Sequence, residues 1–196
     1  MSDQSAVTSH QPAFIAHNGE SWAITYPVQP NQDPITGHAA SLEEFLGNHS
    51  APVFASVKEA SFYLIPDEVY DENTPDTYAR FLMPAATQQV LSAHWPDANC
   101  RLIYTLDESV LADRVSVFPA GLTVSTALKD LYGQTGDSNF VILGQGEVCL
   151  FFYRQNKLVF YNRFAFENYD ELAYYTLQAI KQSDVRGTVK LLAEGY

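Results

Sequence analysis

The most constraining feature of this sequence is a succession of apolar segments that leaves almost no room for connections between them. Three segments rich in Phe, Tyr, Val, Ile and Leu follow one another: residues 139–143, 147–153 and 157–164. Such residues favour β-strands. The connections Gly144–Gly146 and Arg154–Asn156 are so short that they can join only adjacent antiparallel strands. The pattern therefore predicts a three-stranded meander, with Gly144 or Gly146 at positive φ because tight turns need that conformation.

A helix and a fourth strand are predicted after the meander. Asn168, with Glu171 three residues later, matches a helix-capping pattern. A stripe at helical spacing then runs from Tyr169 to Ile180, and residues 188–193 have the composition of a strand. Three meander strands, a crossover helix and a further strand form the order of a ribonuclease-H-like half-domain.

The first 133 residues repeat this order less clearly. Two β-prone runs flank an Asn-Gly pair, which is a strong hairpin signal, whereas the proline-rich segment 27–40 is typical of a surface loop. The remaining predicted elements are a helix from Ser41 to Gly47, strands 53–57 and 61–65, a helix from Thr74, strands 101–106 and 115–118, and a helix over 123–132. The two later helices have predicted apolar faces at Tyr78, Phe81 and Leu82, and at Val124, Leu128 and Leu131.

The chain is therefore expected to have two halves. Residues 1–11 are polar and predict a disordered tail. An N-terminal half follows over residues 12–133, and a C-terminal half covers residues 139–196. The loop between them, residues 133–138, contains turn-forming residues and marks the predicted boundary.

The charge of the chain argues against several classes of partner. The formal net charge is −12, from 23 acidic and 11 basic residues, and this field repels nucleic-acid phosphates and anionic lipids. No segment reaches the ~20 consecutive apolar residues of a membrane-spanning helix, and the N-terminus lacks a leader pattern. We therefore expect a cytoplasmic protein that binds neither nucleic acid nor a membrane directly. Cys100 and Cys149 lie in apolar runs and are expected to be reduced core thiols.

The meander segment of the second half resembles part of a known structural family. Residues 140–152, Phe-Val-Ile-Leu-Gly-Gln-Gly-Glu-Val-Cys-Leu-Phe-Phe, and the following Asn156–Phe160 resemble the second phosphate-loop strand pair of actin-like ATPases. Together with Tyr63–Glu72, Asn162–Phe164 and Tyr174-Tyr175, the order of elements over residues 12–193 also resembles an uncharacterised bacterial family, a domain of unknown function with an actin-like fold.

The resemblance implies a fold and not an activity. The implied fold class is α/β, ribonuclease-H-like and of the actin-like ATPase type, with mixed sheets and crossover helices in two related halves. The family pattern continues past the fourth strand into a further helix, where this chain has only residues 194–196. The resemblance therefore implies a shortened C-terminal half.

The carboxylates that the resemblance leads one to expect at the phosphate loops are missing. Mg²⁺ beside a phosphate is held through one or two such groups, but Leu143 stands where the second-loop Asp is expected. The segment His17–Glu20 stands where the first loop would carry Asp-x-Gly. The residues left for a nucleotide site are Gly144, Gly146 and Glu147 at the turn, with Asp67 and Asp107 as further unorthodox ligands. The simpler interpretation of Glu147 is an exposed turn carboxylate.

A metal-dependent nuclease is a third and weaker alternative. That chemistry needs several acidic side chains around two metal ions, and strand 139–143 contains none. Asp67, Asp71 and Glu72 do cluster after a strand, but a solvated loop is the simpler interpretation. The histidines have no metal-ligand spacing, and no nucleophile motif is present. The sequence thus predicts no catalytic residue, no metal site and no bound cofactor.

Aromatic residues are in excess in the second half. Ten Phe and Tyr residues lie between positions 151 and 175, more than one face of a small sheet can pack. We expect most of them in the core and the rest at an interface, where tyrosine is enriched. The candidates for a partner contact are Tyr153, Tyr161, Tyr174 and Tyr175.

These observations predict a non-catalytic actin-like scaffold or protein-interaction protein, which binds another protein or its own copy. The resemblance implies a role in a cell-envelope, pilus or secretion assembly. The alternative is an ATP-binding actin-like ATPase or phosphotransferase with degenerate phosphate loops.

Overall fold

The structure is a computed structural model, and it describes most but not all of the chain. The described residues are 13–17, 22–26, 35–39, 41–47, 50–51, 53–108, 115–132, 136–144, 146–184 and 187–193. The predicted tail 1–11, the Asn18-Gly19 turn, the segment 27–34 and residues 194–196 lie outside them.

Contacts between Cα atoms divide the chain into two compact units, each taken by itself below. The first contains Met1–His94 and Cys100–Thr123, and the second contains Trp95–Asn99 and Val124–Tyr196. The predicted boundary lay at residues 133–138, whereas this division falls inside a helix. The two halves 12–133 and 139–196, taken as domains, stay a prediction.

The first unit is built on a five-stranded sheet. Its strands are β1 (Ala13–His17), β2 (Trp22–Tyr26), β3 (Ile35–Ala39), β4 (Val53–Val57) and β8 (Val115–Pro119). They lie in the order β3-β2-β1-β4-β8, with β1, β2 and β3 antiparallel and β4 and β8 parallel to β1. Ile15, Ile24 and Ala55 lie side by side in register and are buried. This face of the sheet therefore forms core.

Helix α1 (Leu42–Gly47) connects β3 to β4, as the sequence predicts. The Oγ of Ser41 accepts a hydrogen bond of 3.1 Å from the backbone N–H of Glu44, so Ser41 is the expected cap. The helix buries Leu42 and Phe45.

Strand β3 contradicts the prediction of a loop over residues 27–40. Residues 35–39 pair along their whole length with β2, with Gly37 opposite Ile24. Thr36 and His38 are exposed and alternate with Ile35, Gly37 and Ala39, but this short alternation contains a glycine and directly follows Pro34, so it is a weak strand signal. Pairing with β2 outweighs the weak intrinsic strand preference of this segment.

A smaller sheet lies between β4 and β8 in the chain and also belongs to the first unit. It contains β5 (Phe62–Pro66), β6 (Gln88–Trp95) and β7 (Cys100–Asp107) in the order β5-β7-β6. Strand β6 was not predicted; half of its residues, Gln88, Gln89, Ser92 and His94, are polar. Helix α2 (Pro75–Leu82) starts after Thr74, as expected.

The second unit contains a four-stranded sheet that confirms the predicted meander. Its strands are β9 (Ser138–Leu143), β10 (Glu147–Arg154), β11 (Lys157–Ala165) and β12 (Val189–Ala193). The order is β11-β10-β9-β12, with β12 parallel to β9 and the other pairs antiparallel. Gly146 has φ +70°, which confirms the predicted turn conformation. Helix α4 (Tyr169–Gln182) connects β11 to β12, and the side chain of Asn168 caps it.

Helix α3 (Ala120–Tyr132) follows β8 directly and starts three residues before the predicted position. Leu128 is buried as predicted, but Leu131 is 76% exposed. Phe81 in α2 is exposed to the same extent. The apolar-face predictions are therefore wrong for these two side chains, whereas Tyr78, Leu82 and Val124 are partly buried. Helical spacing gives the direction of a side chain, but not whether another element covers it.

Both faces of the second sheet are covered. On one face Val141, Leu150 and Phe152 form a buried cluster with Ala179 of α4. On the other face the ring of Phe151 lies 4.8 Å from the ring of Tyr161. Packing on two faces explains how most of the aromatic excess is buried or partly buried.

The two larger sheets share one topology. In each, the first three strands form a meander, a helix follows, and the next strand lies parallel to the first: α1 precedes β4 and α4 precedes β12. The fold is thus a mixed-sheet α/β structure with a repeated order of elements, although no sequence repeat marks it.

The buried hydrogen bond between Tyr153 and Ser125 offers a test of the packing on the α3 face. Their hydroxyl oxygens lie 2.6 Å apart, and both residues are buried. Tyr153→Phe should lower the free energy of unfolding by about 1–2 kcal/mol, because the Ser125 hydroxyl loses its partner without gaining water. The measurement is urea unfolding of Tyr153→Phe, Ser125→Ala and the double variant. The double variant should lose less than the sum of the two single variants, and strict additivity would contradict the contact.

Candidate functional site

The turn between β9 and β10 carries the residues proposed for a nucleotide. The backbone N–H of Gly144 donates a hydrogen bond of 2.9 Å to the carbonyl oxygen of Glu147, and the carbonyl of Gly146 accepts one of 2.9 Å from the N–H of Phe166. The Gly144 N–H is therefore engaged within the hairpin rather than directed at a ligand. Glu147 is partly exposed, and its carboxylate accepts a long contact of 3.8 Å from the Cys149 thiol.

The acidic residues that follow β5 are engaged in pairs with basic side chains and in turns. Asp67 lies 3.1 Å from His94, and Arg101 lies 3.2 Å from Glu72. The carboxylate of Asp71 accepts hydrogen bonds from the backbone N–H and the side-chain amide of Asn73. Within the part of the chain that the structure describes, no group of three or more His, Cys, Asp or Glu side chains is arranged to hold a metal ion.

The four candidate tyrosines differ in how far their side chains are exposed. Tyr153 and Tyr161 are buried in the second unit, so no partner can reach them here, and the expectation of a direct contact is corrected for both. Tyr174 is 58% exposed. Tyr175 is partly buried and stacks on Phe164 at 4.9 Å with the rings nearly parallel. Only Tyr174 and Tyr175 remain as candidates.

Tyr174 belongs to an exposed apolar pair on α4, which we call the outer α4 face and define as Tyr174 and Leu177. Leu177 is 64% exposed and lies one turn after Tyr174, on the same side of the helix. The ring of Tyr174 meets the ring of Tyr175 edge-on at 5.6 Å, and Tyr175 is anchored on Phe164. Tyr174 is thus held in a defined position, and both residues of the pair lie on the side opposite the buried Ala179.

Glu59 is a buried carboxylate that sequence reasoning missed. It lies just after β4, is 1% exposed, and its Oε1 accepts a hydrogen bond of 3.2 Å from the N–H of Gly121 in the first turn of α3. A helix N-terminus favours a negative charge. Near it, the hydroxyls of Ser56 and Thr123 lie 2.7 Å apart. A single glutamate between a lysine and an alanine carries no sequence signal of burial, since only the fold brings β4 and α3 together.

Burial raises the pKa of Tyr104 to about 12, and the charge of Glu59 raises it further in the same direction. Burial also raises the pKa of Tyr153 to about 12 and that of the Cys100 thiol to about 11. Each of these groups is therefore neutral in the folded protein at ordinary pH. Cys100 is buried and Cys149 is partly buried, and both are free thiols.

Among the described residues, no helix is both long and apolar enough to cross a membrane.

Comparison with known proteins places this geometry in a structural class. A crystal structure from Bacteroides thetaiotaomicron, described as a protein with actin-like ATPase fold and unknown function, has a TM-score of 0.79 and 13% sequence identity; the match covers 98% of this chain and 85% of that chain. A chain of the structure described as the PilM-PilN type IV pilus biogenesis complex has a TM-score of 0.50 and 7% identity, over 95% of this chain and 82% of that chain. At these identities the likeness concerns the fold alone. No curated protein matches the sequence.

The fold is therefore that of the actin-like ATPases, as the sequence resemblance implied. Residues 38–189 match the family described as "Protein of unknown function (DUF3822)". The chain belongs to this family.

The interaction of Glu59 with Tyr104 gives a test by pH. The folded state binds the Tyr104 proton more tightly than the unfolded state does, so the free energy of unfolding should fall as the pH rises from about 10 towards 12. Glu59→Gln removes the charge and keeps an oxygen for the Gly121 N–H. We expect the pKa of Tyr104 to decrease in this variant, yet to stay above its ordinary value of 10.0, because burial is the larger cause.

The measurement is an alkaline titration of tyrosinate absorbance, with Tyr104→Phe to identify its signal. Tyr153 is the internal control, because Glu59 is not among the causes of its raised pKa. An unchanged Tyr104 titration in Glu59→Gln would show that the two groups are not electrostatically coupled.

Proposed function

We propose that this chain is a non-catalytic actin-like-fold protein that binds another protein or a second copy of itself through the outer α4 face. The observation that supports this most directly is the exposure of Tyr174 and Leu177 side by side on a helix whose other side is buried. A large apolar side chain gains little from water, but gains roughly 1.5–3 kcal/mol when it is covered. Tyrosine is also enriched among residues that dominate interfaces.

The chemistry of the β9–β10 turn supports a non-catalytic role. Leu143 ends β9 where the actin-like pattern expects a carboxylate, and an isobutyl side chain can neither hold Mg²⁺ nor orient a water. The Gly144 N–H is used within the hairpin. The net charge of −12 further opposes a polyphosphate.

A role in an assembly fits the fold. A chain of this fold occurs in the PilM-PilN type IV pilus biogenesis complex, so the actin-like fold can serve in a protein complex. By analogy, we propose a cell-envelope, pilus or secretion assembly as the setting. The alternative function, ATP binding at Gly144, Gly146 and Glu147, is favoured only by the left-handed conformation of Gly146, which a hairpin turn requires in any case.

Substitutions in the outer α4 face should weaken partner binding without lowering the stability of the fold. The double variant Tyr174→Ala/Leu177→Ala should keep the unfolding free energy within about 0.5 kcal/mol of the wild type, because both side chains are exposed. It should recover roughly tenfold less of any stoichiometric partner. The measurement is affinity purification from the native cell, with quantitative mass spectrometry.

Tyr169→Ala is the matched control for this experiment. Tyr169 is an exposed tyrosine on the same helix, but it lies five residues earlier and so on another side. The Tyr169→Ala variant should leave the recovery of the partner unchanged. Equal recovery of every co-purifying protein with the double variant would refute the proposed surface.

A test with ATP distinguishes the proposed non-catalytic function from the ATP-binding alternative. Millimolar ATP with Mg²⁺ should neither raise the melting temperature nor be hydrolysed. A site of micromolar affinity would stabilise the fold by ~4 kcal/mol at a thousandfold excess of ligand, which is large enough to detect. The measurements are thermal unfolding and phosphate release. A Mg²⁺-dependent shift of several degrees that disappears in Glu147→Gln would support the ATPase alternative instead.

A further inference from the structure

Three large apolar side chains of the first unit are exposed around helix α2. Val69, Phe81 and Met83 are 66%, 76% and 85% exposed, respectively. Singly exposed apolar residues are common on protein surfaces, but a connected group of them is typical of an interaction site. We call these three residues the α2 patch.

Tyrosines connect two members of the α2 patch, Val69 and Phe81. The hydroxyl of Tyr78 donates a hydrogen bond of 3.2 Å to the carbonyl oxygen of Val69 and accepts one of 2.7 Å from the N–H of Asp71. The hydroxyl of Tyr63 donates to the carbonyl oxygen of Tyr78, and its ring meets the ring of Phe81 edge-on at 6.1 Å. The loop before α2 is therefore tied to Tyr78 of α2, and α2 is tied to β5 through Tyr63. These contacts preorganise the positions of Val69 and Phe81 for binding.

Met83 holds its side chain outward from an unusual backbone position. It ends α2 in the left-handed conformation, with φ 46° and ψ 57°. A bulky residue is strained there, and glycine is the residue that helices most often use at this position. Among the residues that the structure describes, the large apolar side chain with the highest exposed fraction, that of Met83, thus lies where glycine would be less strained.

Acidic residues lie beside the α2 patch. Residues 67–72, which include Val69, carry four carboxylates, those of Asp67, Glu68, Asp71 and Glu72. Two of them lie within 4.0 Å of Arg101, and His94 also contacts one. In the described part of the chain, no ion pair engages Glu68 or Asp71. The backbone and side-chain hydrogen bonds from Asn73 lower the pKa of Asp71, so this carboxylate stays charged. On α2 itself Arg80 is exposed and adds a positive charge, but Arg80 and Arg101 offset only part of the charge of the four carboxylates.

We propose that the α2 patch binds a basic amphipathic segment of a partner protein, whose apolar side chains cover Phe81 and Met83 and whose Lys or Arg side chains face Glu68 and Asp71. Charge complementarity selects this occupant. A second copy of the chain would bring the same carboxylates and a further charge of −12 to a symmetric contact, and like charges in an interface are unfavourable. The α2 patch consists of residues of the first unit and the outer α4 face of residues of the second, and this proposal does not depend on the outer α4 face.

The test uses a fluorescein-labelled amphipathic peptide made of Leu and Lys, and a matched peptide in which Glu replaces Lys. Binding to the full chain is measured by fluorescence anisotropy at about 0.1 M salt, where charges within about 10 Å still interact. The Lys peptide should bind and the Glu peptide should not. Phe81→Ala and Met83→Gly should each weaken binding of the Lys peptide roughly tenfold, and Glu68→Gln should weaken it and reduce its salt dependence.

Met83→Gly distinguishes loss of a contact from loss of the fold. Glycine relieves the strain at this position, so the melting temperature should not fall while binding does. Leu131→Ala removes an equally exposed apolar side chain from α3 and should leave binding unchanged. Tyr174→Ala/Leu177→Ala should also leave it unchanged, so the two proposed surfaces can fail separately.

Three results would overturn the proposal. The first is equal affinity for the Lys and Glu peptides, since charge would then play no part. The second is wild-type affinity of Phe81→Ala and Met83→Gly for the Lys peptide, because attraction to the net charge alone would then explain binding. The third is a dimer in sedimentation that Phe81→Ala abolishes, since the patch would then cover a second copy of the chain.

Discussion

In each larger sheet, the first strand pairs with another strand on each of its two edges. The rest of the sheet depends on this double pairing. Strand β1 has β2 on one side and β4 on the other, and β9 has β10 and β12. The antiparallel neighbour can be reached by a short turn, but the parallel neighbour requires the chain to cross over the sheet. This is why a helix stands between β3 and β4 and another between β11 and β12.

Burial of both faces of the second sheet follows from this arrangement. Neighbouring residues of a strand point to opposite faces, and the adjacent Phe151 and Phe152 are both buried. Phe152 packs on the α4 side with Ala179, whereas Phe151 contacts Tyr161 on the other side. The aromatic content therefore reflects a sheet with two covered faces, and few aromatic side chains remain for a partner.

Two of the exposed apolar side chains, Tyr174 and Phe81, contact partly buried aromatic neighbours. Tyr174 meets Tyr175, which stacks on Phe164, and Phe81 meets Tyr63. A side chain fixed in this way loses less conformational entropy on binding than a free one does. The actin-like fold thus presents ordered apolar surfaces in each unit, while the turn that resembles a phosphate loop is closed by its own hydrogen bonds.

The sequence by itself determined the elements whose signals are local. The meander of β9 to β11, the Asn168 cap of α4 and the positive φ at Gly146 follow from short turns, capping residues and apolar runs. These features depend on a few consecutive residues, and the resemblance to the actin-like ATPases lies in the same segment, residues 140–160.

Only the tertiary structure decided the features that depend on distant partners. Strand β3 forms because β2 lies beside it, and Glu59 is buried because α3 presents a backbone N–H to it. The burial of Tyr153 and the exposure of Phe81 could not be predicted from the sequence either. Residue type and spacing do not tell whether another element covers a side chain. Strand pairing, burial and exposure are relations between segments far apart in the chain, and for this reason no local pattern contains them.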